Sequence, residues 1–230
     1  IKFSSIDKTE YLPFKIDRRA EFDIVLNQQS LGSCVAHSVA ICIRHVFNKQ
    51  KKGNFIPSRL YIYYNGRTDK QFDTGLTIRD GYKSVEKFSA CRESIWVYDT
   101  SKFQIKPSVE AYRNANIYKK IQYLKIDSLF ELKKCIKEGF GISFGAKIYE
   151  SFMTSDVSNT GKILYPDIKK EEFLGGHAMT IVGYDDKLKC FIVLNSWGLD
   201  WADKGFCYFP YKYTSNPDLC SDFWTLRLFG

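Results

Sequence analysis

The sequence predicts an α+β protein with two lobes. Its first half carries three segments with helical patterning, whereas short β-rich runs dominate the chain after about residue 120. A run of helices followed by a run of strands is typical of this class. The 230 residues suffice for one large domain or for two small lobes that share a cleft.

Three helices are predicted in the first half and one in the second. Val35 to Phe47 is apolar on most sides, which indicates a buried central helix. A second helix follows Pro57, with Ser58 as its N-cap. A third runs from about Ile78 to Phe88, and Ser128 to Glu138 forms an amphipathic helix.

The strands are predicted from short runs rich in β-branched and aromatic residues. A turn at Asp185-Asp186-Lys187 connects two of them. The runs are Gly141–Ile148, Ala178–Tyr184, Cys190–Asn195, Gly205–Phe209 and Phe223–Phe229. We therefore interpret residues 1–230 as one domain, with a helical lobe over about 20–115 and a β-rich lobe over about 116–230. The N-terminal segment is a candidate to cross over to the β-rich lobe.

Composition and charge disfavour several classes of function. The net charge is +8, but the lysines stand in short scattered groups, which favours solvated faces over a nucleic-acid-binding stripe. No apolar run approaches the roughly 18 residues of a membrane span. The chain begins at Ile1 and not at Met, so we expect that an upstream segment has been removed or left out, for which a signal or a pro-segment is a candidate. Residues 1–12 are then either a remnant of such a pro-segment or part of the fold.

The seven cysteines do not resemble a disulfide scaffold, because their number is odd and their spacing irregular. No C-x-x-C occurs, and with only three histidines we expect no metal site and no cofactor. This usage favours a reducing intracellular compartment or a virion.

Cys34 is the candidate nucleophile. It stands where a polar loop runs into the first predicted helix, so the positive end of the helix dipole would favour its thiolate. A thiolate is the form that attacks a carbonyl carbon. The alternative is a buried structural thiol, which is a common fate of free cysteine.

A nucleophilic cysteine needs a base and a group that orients the base. His37 and His45 fall on the helix that Cys34 begins, where core or surface roles are favoured. His177 follows two glycines and precedes an apolar strand, so its backbone can approach a ligand. Asn195 ends another apolar strand, and its side-chain oxygen can accept the imidazole N–H. Taken alone, Asn195 would be interpreted as a turn residue.

These segments together resemble the papain-like cysteine peptidases, the papain and cathepsin family. The resemblance covers roughly residues 12–229 and is carried by Asn27–Ser38, by Gly176–Tyr184 and by Asn195–Gly205. The interval from Cys34 to His177 lies within the roughly 130–150 residues usual in this family, and Asn195 lies somewhat beyond it. The departures from the family's pattern, above all at Leu31 and Val35, resemble those of the divergent bacterial or viral members.

The resemblance implies a papain-like fold with a helical N-terminal lobe, a β-barrel-like C-terminal lobe and a cleft between them. It also implies that Cys34 is the nucleophile, that His177 is its ion-pair partner and that Asn195 orients His177. Trp197 would shield that hydrogen bond, and Gln28, six positions before Cys34, would donate to the oxyanion.

The family also implies the walls that bind substrate. We assign the substrate-binding role to Gly32, Gly75, Gly145, Gly176, Ala178 and Trp197. Small residues at 145, 176 and 178 predict a roomy, uncharged pocket for the second substrate residue, which would tolerate bulky apolar side chains. Leu31 replaces a family cysteine, so one family disulfide cannot form. Val35 replaces the usual Trp.

The expected activity is that of an endopeptidase that cleaves protein or peptide substrates through a Cys34 thioester. All three histidines already have other assignments, one as the base and two on the helix that Cys34 begins. The histidine pair with which some cathepsins trim dipeptides is therefore absent. A pro-segment or an inhibitor is a candidate partner. The alternatives are another acyl-transfer enzyme on this scaffold, such as a transpeptidase or amidase, and a catalytically idle homologue that binds peptides.

Overall fold

The computed structural model describes residues 2–3, 11–116, 118 and 120–229. The helices are α1 (Cys34–Lys49), α2 (Arg59–Gly66), α3 (Ile78–Phe88), α4 (Val109–Asn114), α5 (Leu129–Lys137), α6 (Ser155–Thr160) and α7 (Tyr211–Thr214). The strands are β1 (Lys15–Asp17), β2 (Lys120–Lys125), β3 (Ile142–Tyr149), β4 (Phe173–Asp185), β5 (Cys190–Leu194), β6 (Phe206–Pro210) and β7 (Cys220–Phe229).

The predicted helices form where the sequence pattern places them. Every residue of α1 from 35 to 47 is buried, so α1 is the central helix that its apolar surface predicts. Side chains cap the next three predicted helices: the hydroxyls of Ser58, Thr77 and Ser128 accept backbone N–H groups of the first turns of α2, α3 and α5. These caps fix where the helices begin.

The strands form one antiparallel sheet in the order β2-β7-β3-β4-β5-β6, with β1 pairing with β4. The path does not return from β6 to β2 within the described residues, so the sheet is open. The fold is therefore α+β as predicted, but the expected barrel-like form is not a closed barrel. The predicted turn after β4 is present, since Asp185 Oδ1 accepts from the backbone N–H groups of Lys187 and Leu188.

The N-terminal segment contributes to this sheet in two places. Lys15 to Asp17 pair with Asp185 to Gly183 of β4. The Phe3 backbone N–H donates to the Lys125 carbonyl at 2.8 Å, and the Phe3 ring is buried in the core of the sheet. Lys2 and Phe3 are thus part of the fold. Residues 4–10, on which most of the pro-segment interpretation rests, lie outside the described residues.

The helical side and the sheet meet along α1. Leu31, Val35, Val39 and the apolar faces of α2 and α3 form one core, and β3 to β7 cover a second core with α5. Residues from β2, β4 and β7 join the first core, so the two cores share a wall. Residues from both sides of that wall line the cleft described next.

Candidate active site

Cys34 is the first residue of α1 and lies partly exposed in a cleft of about 820 Å³. Residues from the helical side, including Gly75 and Ile78, line one wall of the cleft, and residues of β3, β4 and the start of β7 line the other. The thiol therefore lies at the positive end of α1, where a thiolate is favoured.

His177 lies on β4 within hydrogen-bond reach of the Cys34 thiol. Burial opposes ionisation of the thiol, but the hydrogen bond and charge of His177, helped by backbone N–H groups, lower the pKa of Cys34. Burial likewise opposes the imidazolium, but the Cys34 thiolate and Asn195 together raise the pKa of His177. The two shifts favour a thiolate–imidazolium pair.

Asn195 follows β5 directly, which carries its side chain beside His177. The His177 Nε2–H donates to Asn195 Oδ1 at 2.7 Å, and the same oxygen accepts the Ser196 N–H at 2.8 Å. The Nε2 contact leaves Nδ1 as the ring nitrogen for the thiol. Asn195 is 3% exposed and His177 8%, so this hydrogen bond is shielded from water.

Three aromatic rings provide part of that shielding. Trp197 stacks on His177 with ring centroids 5.1 Å apart. Phe152 and Trp201 pack edge-on against Trp197 at 5.4 and 5.2 Å. The family resemblance implies a place for Trp197 in the substrate wall as well as in shielding. The structure places it against His177 and Phe152, and it is not among the residues that line the cleft.

Gln28 also lines the cleft and is 8% exposed. Its Oε1 accepts the Ser196 hydroxyl at 2.6 Å, and its Nε2 donates to the Leu31 carbonyl at 3.0 Å. A primary amide carries two N–H bonds, so the second remains to donate to a ligand beside Cys34. Ser196 thus couples Gln28 to Asn195, a connection that sequence reasoning did not anticipate.

The other two histidines are core residues. His37 is 1% exposed, its Nδ1–H donates to the Ser33 carbonyl at 2.9 Å, and Arg59 faces its Nε2 at 3.4 Å. Burial and the Arg59 charge lower the pKa of His37 to about 3, so it stays neutral. His45 stacks on Phe22 with its two ring nitrogens against backbone carbonyls. Neither competes with His177.

The five small residues assigned to the substrate walls all line the cleft: Gly32, Gly75, Gly145, Gly176 and Ala178. A Cβ at Gly176 would meet no atom within 4 Å, so this side of the cleft is open. Gly75 has φ +68°, a left-handed conformation that favours glycine.

Charged residues line the same cleft, which sequence reasoning missed. Four carboxylates face it, from Asp73, Asp80, Asp218 and Asp222, with Arg67 and Lys147. The Arg67 guanidinium already donates to the carbonyls of Phe72 and Phe103. The expectation of an uncharged pocket therefore describes the small residues at 145, 176 and 178 but not the cleft as a whole.

All seven cysteines are free thiols. Within the described residues, His, Cys, Asp and Glu form no group of three that could hold a metal ion. In the same part of the chain, no helix combines the length and the apolar character needed to cross a membrane.

Comparison with known proteins identifies the family of the chain. The model of the papain family of cysteine proteases matches residues 12–221. An uncharacterized peptidase C1-like protein of Acanthamoeba polyphaga mimivirus is 40% identical over 88% of this chain and 69% of its own length. Cysteine proteinase 1 of Entamoeba histolytica is 26% identical, over 54% of this chain and 38% of its own length.

The crystal structure of xylellain, a cysteine protease from Xylella fastidiosa, superposes with a TM-score of 0.87. It is 35% identical and covers 94% of this chain and 87% of its own. The viral and bacterial relatives confirm the expected divergent type. The chain belongs to the papain family of cysteine proteases.

Proposed function

We propose that the chain is an endopeptidase that hydrolyses peptide bonds through a thioester on Cys34. The observation that carries the proposal is the position of His177, within hydrogen-bond reach of the Cys34 thiol on one side and hydrogen-bonded to Asn195 Oδ1 on the other. A nucleophile, a base and a group that orients the base are the parts that acyl transfer by a cysteine requires.

In the first half-reaction, the Cys34 thiolate attacks the carbonyl carbon of the scissile bond. The carbonyl oxygen becomes an oxyanion, which accepts hydrogen bonds from the Cys34 backbone N–H and from the second N–H of Gln28 Nε2. The His177 imidazolium gives its Nδ1 proton to the departing amine, the C–N bond breaks, and a thioester remains on Cys34.

In the second half-reaction, a water molecule replaces the amine. Neutral His177 takes a proton from this water, and the water oxygen attacks the thioester carbonyl carbon. The C–S bond then breaks, the acid product leaves, and the thiolate–imidazolium pair is restored. Trp197 and Phe152 keep other water from the His177–Asn195 hydrogen bond. Protein or peptide substrates would bind in the cleft, whose walls carry glycines at 75 and 176.

Labelling with a peptidyl epoxide that targets cysteine peptidases tests this assignment. We expect one adduct, located at Cys34 by peptide mapping, because the other six thiols are buried. Cys34→Ala should remove both the adduct and the cleavage of an internally quenched peptide. Cys190→Ala, which removes a buried thiol outside the cleft, is the matched control and should keep both. Cleavage that persists in Cys34→Ala would refute the proposal.

Product analysis in the presence of an added amine distinguishes hydrolysis from transpeptidation. We expect the free acid to be the main product. If the amine-capped product dominates at millimolar amine, the enzyme is an acyl transferase that uses the same thioester.

A further inference from the structure

Asp73 connects the loop that precedes Cys34 to the wall of the cleft on the helical side. Both of its carboxylate oxygens accept the backbone N–H of Gly32, at 3.1 and 2.9 Å. The buried Tyr63 hydroxyl donates to Asp73 Oδ1, and the Gly75 N–H donates to the Tyr63 oxygen at 3.2 Å. One carboxylate therefore joins the nucleophile loop to the strip that carries Gly75.

The Gly32 N–H belongs to the same peptide unit as the Leu31 carbonyl. That carbonyl accepts from Gln28 Nε2 at 3.0 Å and from the Ser33 N–H at 2.7 Å. A peptide unit is planar, so the direction of its N–H fixes the direction of its C=O. By holding the Gly32 N–H, Asp73 sets where the Leu31 carbonyl points, and thereby where the Gln28 amide is held.

The local geometry is tight enough for this connection to be specific. A Cβ at Gly32 would stand 3.0 Å from Asp73 Oδ1, so glycine allows the carboxylate to approach the backbone. Leu31 is 4% exposed and its side chain packs into the helical core, which holds that side of the loop in place.

We propose that Asp73 is a positioning residue of the oxyanion site, which acts through the Leu31–Gly32 peptide on Gln28. The inference rests on the proposed function, because it requires Gln28 to donate to the oxyanion. Asp73 is distinct from the groups that touch the reacting atoms, since within the described residues its carboxylate is hydrogen-bonded to the Gly32 N–H and the Tyr63 hydroxyl. Its effect should therefore appear only in steps that form an oxyanion.

Two reactions of the same thiol separate this role from a general structural one. Hydrolysis of a peptide passes through an oxyanion, whereas alkylation of Cys34 by iodoacetamide is a displacement at a saturated carbon and forms none. In Asp73→Asn, the carboxylate that accepts the Gly32 N–H becomes an amide with one acceptor oxygen. We expect kcat to fall about tenfold to a hundredfold, with the alkylation rate within about twofold of wild type.

Three further variants complete the experiment. Gln28→Ala should reduce kcat by about 10²–10³ and also spare alkylation. In the Gln28→Ala background, Asp73→Asn should then add less than about twofold, because both changes act on one donor. Asp218→Asn removes the same charge from the same cleft, and any loss in kcat/KM that it shares with Asp73→Asn is an effect of cleft charge.

The outcomes are separable. If Gln28→Ala loses kcat as expected but Asp73→Asn keeps it, the proposal for Asp73 is wrong and the proposed function stands. Equal losses of hydrolysis and alkylation in Asp73→Asn, or full additivity with Gln28→Ala, would also overturn the proposal. If Gln28→Ala itself keeps kcat, the oxyanion part of the proposed function is wrong, and the proposal for Asp73 falls with it.

Discussion

Replacing Asn195 tests the orientation of the base most directly. In Asn195→Ala, His177 Nε2–H loses its acceptor at 2.7 Å and the Ser196 N–H loses the same oxygen at 2.8 Å. Asn195→Asp is the matched comparison, because it keeps the acceptor and the shape of the side chain. In Asn195→Asp, a carboxylate oxygen replaces the side-chain nitrogen Nδ2. This nitrogen is buried and has no hydrogen-bond partner among the described residues, so the substitution breaks no hydrogen bond there.

The magnitude follows from the type of hydrogen bond that is removed. A hydrogen bond to a charged group contributes about 1.5–3 kcal/mol, and about 1.4 kcal/mol corresponds to a tenfold change in rate. Asn195→Ala should therefore lower kcat/KM by about 10-fold to 150-fold. Because Asn195 helps to raise the pKa of His177, its loss lowers that pKa, and the thiolate–imidazolium pair then breaks up at a lower pH. The buried carboxylate of Asn195→Asp favours the imidazolium and should move this limit to a higher pH.

The assay is the pH dependence of kcat/KM for a quenched peptide, measured for all three proteins. The alkaline limb reports loss of the imidazolium in the free enzyme. We expect it to move to lower pH in Asn195→Ala and to higher pH in Asn195→Asp. If both variants move the limb in the same direction, or if neither moves it, Asn195 does not tune His177 and the assignment of the triad is wrong.

Three further predictions concern shielding, substrate choice and acid stability. Trp197→Ala removes the ring stacked on His177 and should lower kcat/KM and the melting temperature together, whereas Trp197→Phe should keep most of both. A peptide series varied two residues before the scissile bond should be cleaved faster with Phe than with Asp, because Gly176 leaves that side open; equal rates would refute the pocket assignment. The hydrogen bond from Arg44 lowers the pKa of Asp23 against the opposing effect of burial. The Asp23–Arg44 pair therefore stabilises the folded state at pH values above the ordinary pKa of a carboxyl group. That contribution is lost as pH falls through the lowered pKa, and urea midpoints should drop less between pH 7 and 3 in Asp23→Asn than in wild type.

The three residues that the sequence assigns to the nucleophile, the base and its orientation lie in short segments whose pattern is complete in itself. Cys34 follows a polar loop and begins a helix, and His177 and Asn195 adjoin apolar strands. The sequence features that indicate their roles lie within a few neighbouring positions. Asp73 and Phe152 carry no such signal, because each acquires its role from a residue distant in the sequence, Gly32 and Trp197 respectively.

Two strands show how tertiary pairing overrides local pattern. The sequence predicts a strand that begins at Ala178, directly after His177, because Gly175 and Gly176 have low β propensity. In the structure β4 begins at Phe173, since Ile148 of β3 pairs with Gly175 and extends the ladder. β1 has only three residues, too few for a periodic pattern, and it forms because the edge of β4 offers Gly183 to Asp185 as partners.

Hydrogen bonds one helical turn after Cys34 help to set the distance between Cys34 and His177. The Ser38 hydroxyl lies one helical turn after Cys34, and it is 2.7 Å from both the Ser143 and the Thr180 hydroxyls, on β3 and β4. Ser38 is 4% exposed and the other two are 1% or less, so these polar contacts are made in the interior, where an unpaired hydroxyl would be costly. They fix α1 against the sheet near the points where Cys34 and His177 project. Ser38 therefore helps to set the geometry of the site, although it is not among the residues that line the cleft.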